Sequence, residues 1–163
     1  MDAATEAIQM VTIWDALVRM VIACALSAGI GWDRERRGRA AGLRTHILVG
    51  LGAAGFAVMA LDLSEIAGVG GRDVVVDPSR VVAAVVGGVG FLAAGAIIRS
   101  GGDIRGLTTA AGLWVTAAIG TASGLGAFGV AGVIAALGVF VIVALRQIEP
   151  KSADAPAEPR DVL

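Results

Sequence analysis

The residues with chemistry to offer fall in two short charged stretches. The first, residues 33–44, reads Asp33-Arg34-Glu35-Arg36-Arg37-Gly38-Arg39-Ala40-Ala41-Gly42-Leu43-Arg44, and Thr45 and His46 follow it. The second, residues 99–109, reads Arg99-Ser100-Gly101-Gly102-Asp103-Ile104-Arg105-Gly106-Leu107-Thr108-Thr109. Acids and arginines three or four residues apart share a helical face, so Asp33 can pair with Arg36 or Arg37, and Glu35 with Arg39. Such a run either anchors on anionic headgroups or docks an effector. The second stretch is glycine-rich and feeds a helix. Its backbone N–H groups, hydroxyls and arginines suit an anion, while Thr108 and Thr109 are the natural helix caps. It lacks Gly-Lys-Ser/Thr, so it is no nucleotide P-loop. His46 is expected to be a satisfied interfacial histidine rather than a metal or proton site. No Cys/His pairing, ligand cluster or Gly-x-Ser-x-Gly supports catalysis, and no cofactor is expected.

Composition says what scaffold must hold these stretches. Of 163 residues, 56% are apolar and only 17% charged, where soluble domains carry about 25% charged. Mean hydropathy is +0.82. There are 24 glycines, no tyrosine and 4% aromatics. That mixture points to small-residue helix packing in a bilayer, and it excludes disorder for most of the chain. One cysteine, Cys24, excludes a disulfide scaffold. A net charge of −1 leaves no global basic surface for nucleic acid.

Five apolar segments stand out, at residues 13–32, 45–61, 81–98, 107–123 and 127–145. A spanning helix needs about 20 residues. The last four segments contain no Asp, Glu, Lys or Arg. The first carries Asp15 and Arg19, spaced to pair near one membrane surface. Trp14 and Trp32 bracket it, about 27 Å apart along a helix, which suits two interfacial belts. Val21-Ile22-Ala23-Cys24 loosely resembles a lipoprotein cleavage box, but Arg19 interrupts the apolar run before it, so an uncleaved first helix is expected. Five arginines in residues 33–44 place that loop in the cytoplasm. Alternation puts the N-terminus outside and the C-terminus inside. Ten of the thirteen basic residues then lie on the cytoplasmic side.

Small residues stripe the helices. Thr108, Gly112, Thr116, Gly120 and Gly124 recur every four residues, as do Ala23, Ser27 and Gly31. The third segment holds Gly87, Gly88, Gly90, Ala93, Ala94, Gly95 and Ala96. Gly90, Gly95, Gly112 and Gly120 are expected to pack helices closely, within the chain or between copies of a dimer. An ion carrier usually places a carboxylate inside the membrane. Here the acids sit at the helix ends, and five helices do not readily form two matched inverted repeats.

Four blocks in order carry a family likeness: Gly31-Trp32-Asp33-Arg34-Glu35-Arg36, Ala41-Gly42-Leu43-Arg44-Thr45-His46, Gly88-Val89-Gly90-Phe91-Leu92-Ala93-Ala94-Gly95-Ala96-Ile97, and Gly106-Leu107-Thr108-Thr109-Ala110-Ala111 leading to Leu113-Trp114. Together they resemble the MgtC/SapB family of bacterial inner-membrane proteins, over residues 19–145. Ala93 stands where the family usually has glycine, and Trp32-Asp33 where Leu-Glu is common. Longer members carry an ACT-like C-terminal domain, and the chain reads as the short form without it. The resemblance implies a membrane protein linked to Mg²⁺ limitation, and in pathogens to survival inside host cells. It implies a regulator of membrane energetics or ion-translocating partners more than a transporter, and no enzymatic activity.

The resulting expectation is an all-α bundle of five transmembrane helices over residues 13–145. An extracytoplasmic segment, 1–12, precedes it and a disordered cytoplasmic tail, 146–163, follows. The lipid bilayer, a membrane protein partner and a second copy of the chain are the expected partners. The functional surface is expected on the cytoplasmic face, from Asp33, Glu35, Arg36, Arg44, Thr45, Arg99, Asp103, Arg105, Thr108 and Thr109. The alternative to a regulator is a small dimeric carrier or channel for Mg²⁺ or another cation.

Overall fold

The computed structural model describes residues 11–69, 77–100 and 103–145. Five helices follow one another: α1 (Ile13–Arg36), α2 (Leu43–Val69), α3 (Pro78–Gly95), α4 (Leu107–Gly124) and α5 (Phe128–Ala144). The fold is all-α, with one small addition. Between α3 and α4, β1 (Ile98–Ser100) pairs antiparallel with β2 (Asp103–Arg105), Ser100 opposite Asp103. The expectation for this stretch is a glycine-rich lead into a helix, without strands. The two strands are adjacent in sequence, and the residues between them, 101 and 102, lie outside the described residues. The expected N-terminal segment before residue 11 and the tail from residue 146 lie outside the described residues.

Local chemistry sets the helix ends. Thr12 caps α1 by accepting from the Asp15 N–H, and its hydroxyl donates to the Asp15 carboxylate at 2.7 Å. The other end of α1 turns through Gly38 at φ 61°, with Gly38 N–H bonded to Glu35 O and Arg39 N–H to Arg34 O. Those two bonds form a Schellman ending, in which glycine takes the left-handed position. Asp77 caps α3 through the Ser79 N–H, with Pro78 at the first turn. This cap holds the Asp77 carboxyl below its usual range.

The helix order sets the layers. Helix α4 lies at the centre, packed on α1, α2, α3 and α5, while α1 and α2 pack on each other. Buried apolar side chains are mostly alanine, among them Ala23, Ala53, Ala54, Ala57, Ala117 and Ala131, whereas Trp14, Phe56, Phe91 and Phe140 point outward. Small inside and large apolar outside reverses the soluble pattern and suits helices solvated by lipid. Ile13–Arg36 and Leu43–Ser64 are long and apolar enough to cross a membrane, and Ser79–Gly95 and Phe128–Ala144 are shorter apolar helices.

The close packing has a definite place. A Cβ on Gly120 would overlap Gly50 O of α2, and one on Gly124 would overlap Ala54 O. Gly31 of α1 also lies tight against Leu43, whose Cα would be 2.9 Å from an added Cβ. Gly112 faces His46 at an ordinary 3.4 Å. Gly90 and Gly95, expected as packing residues, meet nothing within 4 Å. They find no neighbouring helix in this chain because α3 turns Val81, Val85 and Val89 toward the core instead.

Candidate functional site at the arginine-rich end

The C-terminal end of α1, the start of α2 and the start of α4 meet at one end of the bundle. The turn through Gly38 returns the chain, so residues 34–46 fold back on themselves. Arg34 is 5% exposed and donates from Nη2 to the Thr109 hydroxyl at 2.5 Å. Thr109 is 3% exposed. A buried charge-assisted bond thus ties α1 to α4 across 75 residues of sequence. Glu35 turns the other way and accepts the Leu43 N–H at 2.9 Å. It supplies a partner for one of the unpaired amides that open α2. A Cβ added at Gly42 would fall on that Glu35 carboxylate, which would have to move aside. Between these contacts lies His46, fully buried, with Nδ1 2.9 Å from Gly42 O.

The remaining charged residues lie around this node. Of the two partners open to Asp33, Arg37 takes it, through bonds of 2.7–2.9 Å. Arg36 instead lies over the Trp32 ring at 5.7 Å. Arg44, Thr45, Arg105 and Thr108 are exposed. Arg99 and Asp103 belong to the paired strands of the hairpin. The expected site residues therefore share one end of the molecule, but of the two threonines only Thr109 enters the packed interior.

Three local expectations are corrected. The threonines do not cap α4: its N-cap is Gly106, at φ 89°, with no side-chain bond. A Cβ at Gly106 would overlap Ala96 O, so glycine is required both for its left-handed backbone and for the close approach of α3's end. Asp15 does not pair with Arg19. Asp15 is held by Thr12, while Arg19 donates to Gly124 O at 2.8 Å and satisfies an end carbonyl of α4. His46 is not satisfied at both nitrogens, for Nε2 has no hydrogen-bond partner among the described residues.

Sequence reasoning passed over Arg34 within a run of five arginines. A signal was present. Ala23, Ser27 and Gly31 mark the buried face of α1, and three residues further that face reaches Arg34. Asp33, Glu35 and Arg36 lie off it.

A profile of the MgtC family matches residues 20–151. The Escherichia coli K12 protein named "Putative magnesium transporter YhiD" is 45% identical over 112 residues, 66% of this chain and 50% of its own. Protein MgtC of Salmonella typhimurium is 42% identical over 109 residues, 67% of this chain and 43% of its own. The uncharacterized protein slr0014 of Synechocystis is 39% identical over 110 residues, 68% of this chain and 43% of its own. The chain thus spans half or less of the length of these relatives. No solved structure matches it. Since the family match takes in α1 from Met20 onward, every later helix and both arginine-bearing stretches, this membrane protein belongs to the MgtC family.

Proposed function

We propose that the chain is a non-enzymatic, multi-pass protein of the bacterial inner membrane that acts on a membrane partner under Mg²⁺ limitation. Its arginine-rich end is the contact surface. One observation carries the regulatory reading over a carrier. The seam between α2 and α4 is closed by backbone contact at Gly120 and Gly124, while the polar groups gather at the end of the bundle. A surface read from the cytoplasm fits that distribution better than a path through one chain. The link to Mg²⁺ rests on family membership and on the name of YhiD.

The membrane arrangement belongs to the same reading. Helices α3, α4 and α5 have 18, 18 and 17 residues, about 25–27 Å at 1.5 Å per residue. That length approaches the hydrocarbon thickness of about 30 Å. With five spans, the N-terminus is outside and the arginine-rich end is cytoplasmic. In a Cys24→Ser background, a cysteine within residues 38–42 should resist an impermeant thiol reagent in intact cells and react after permeabilisation. A cysteine at Gly70 should react in intact cells. Equal labelling of the two before permeabilisation rejects this topology.

A second reading has its own support. Gly87, Gly88, Gly90 and Gly95 of α3 meet nothing within 4 Å, so this face is open to a second copy, and a dimer could enclose a path that one chain lacks. Purified protein in liposomes separates the readings. The regulator is expected to give Mg²⁺, Na⁺ and H⁺ fluxes equal to those of empty vesicles. Flux above that background establishes the carrier.

A further inference from the structure

His46 is the only histidine of the chain, and its side chain is 0% exposed. Its Nδ1 contacts Gly42 O, and a carbonyl can only accept, so Nδ1 carries the proton. In the neutral ring Nε2 is then a bare lone pair. That lone pair has no partner among the described residues. Helix α4 closes over it at Gly112, where an added Cβ would stand 3.4 Å from Nε2. Helix α1 packs against the base of the same side chain at Gly31, where an added Cβ would stand 3.0 Å from the His46 Cβ. One turn deeper, Ser27 Oγ is also buried, lies against Gly50 and lacks a partner among the described residues. A buried polar atom left unpaired costs about 1–3 kcal/mol. A sole histidine enclosed this way among three helices calls for a ligand, and the fit leaves room for a proton.

We propose that Nε2 of His46 is an intramembrane proton-binding site, and that loading it loosens the Arg34–Thr109 clasp and moves α4 away from α2. The step is simple: a solvent proton takes up the Nε2 lone pair, and the ring becomes an imidazolium. Nε2 turns from an acceptor into a donor facing glycine. The new charge also lies within electrostatic reach of Arg34 on α1. Of the other charged groups nearby, Glu35 on α1 is engaged at Leu43 N, and Arg44 on α2 is exposed. Helix α4 carries no titratable side chain, and the hydroxyl it offers to Arg34 is that of Thr109. The contact free to yield is therefore the one between α1, α2 and α4 at this end. The proposal holds whether the chain regulates a partner or carries an ion.

The test uses the whole protein in nanodiscs. Histidine labelled with ¹⁵N and ¹³C gives one ring to observe. At alkaline pH the spectrum should show a neutral ring protonated on Nδ1, and on acidification it should become imidazolium. Spin labels at Thr45→Cys and Thr108→Cys, in a Cys24→Ser background, report the spacing of α2 and α4. That spacing should change with the same midpoint, by on the order of 2 Å, the scale of helix shifts. The change should vanish in His46→Gln. A ring protonated on Nε2 at high pH, a ring that does not titrate, or a ring that titrates with no change in spacing each overturns the proposal. The spectrum needs no variant, so a failure of His46→Gln to fold does not spare it.

Discussion

Gly120→Leu should remove the folded protein from the membrane or lower its unfolding temperature more than any change on the open face of α3. The reason is geometric. Gly120 lies so close to α2 that even a methyl would overlap Gly50 O and stand 2.9 Å from Ala53 Cβ. Those neighbours are backbone and a side chain of one carbon, neither of which can rotate away. Helices in lipid have no hydrophobic drive toward each other, so the dispersion lost when α4 lifts off α2 is not recovered by burial. Overpacking typically costs about 1–3 kcal/mol, which is roughly 2–12 °C at about 2–4 °C per kcal/mol for a chain of this size. Gly120→Ala should fall in that range, and leucine should exceed it. Gly90→Leu is the control, since it meets nothing within 4 Å. Thermal unfolding in detergent compares them. Equal midpoints for Gly120→Leu and Gly90→Leu would mean that α4 does not rest on α2.

The same comparison shows what was legible in the residues. Helix number and order could be read because apolar run length and loop charge are local properties. The α4 stripe could be read only in part. Spacing by four advances 40° per step against 3.6 residues per turn, so five such positions cannot share one face. Gly112, Thr116, Gly120 and Gly124 are buried, Thr108 has rotated out and Thr109 takes its place. The glycines of α3 were legible as small but not as facing outward. That depends on which side of the helix Val85 and Val89 claim for the core. The charges of residues 33–44 were plain, yet nothing local says that Arg34 alone among Asp33, Glu35, Arg36 and Arg37 would be buried. Once buried, it bonds to Thr109 of a helix distant in sequence. A lone interfacial histidine reads as a satisfied one, and only its enclosure by Gly31 and Gly112 makes His46 unusual.

Arg34→Gln should abolish growth support at low Mg²⁺ at normal membrane abundance, whereas Arg44→Gln should leave most of it. The two arginines differ in surroundings, not in type. Arg44 is exposed, and its charge is screened by water and headgroups. Arg34 is buried and donates to a buried hydroxyl, so removing either partner takes that bond from the other in a low-dielectric interior. For a hydrogen bond to a charged group that loss is about 1.5–3 kcal/mol. Arg34→Lys keeps the charge but loses the planar fork, and should behave like Arg34→Gln rather than like wild type. Thr109→Val should reproduce the defect from the α4 side, and Thr109→Ser, which keeps Oγ, should relieve it. A double-mutant cycle then isolates the pair: Arg34→Lys and Thr109→Val together should cost clearly less than the sum of the two alone. Complementation of a strain lacking the gene, with membrane levels checked by blot, gives the functional half. Unfolding midpoints in detergent give the energetic half. Full growth from Arg34→Gln at matched abundance would reduce this end of the bundle to a topology anchor. Additive energies would show that Arg34 and Thr109 touch without depending on each other.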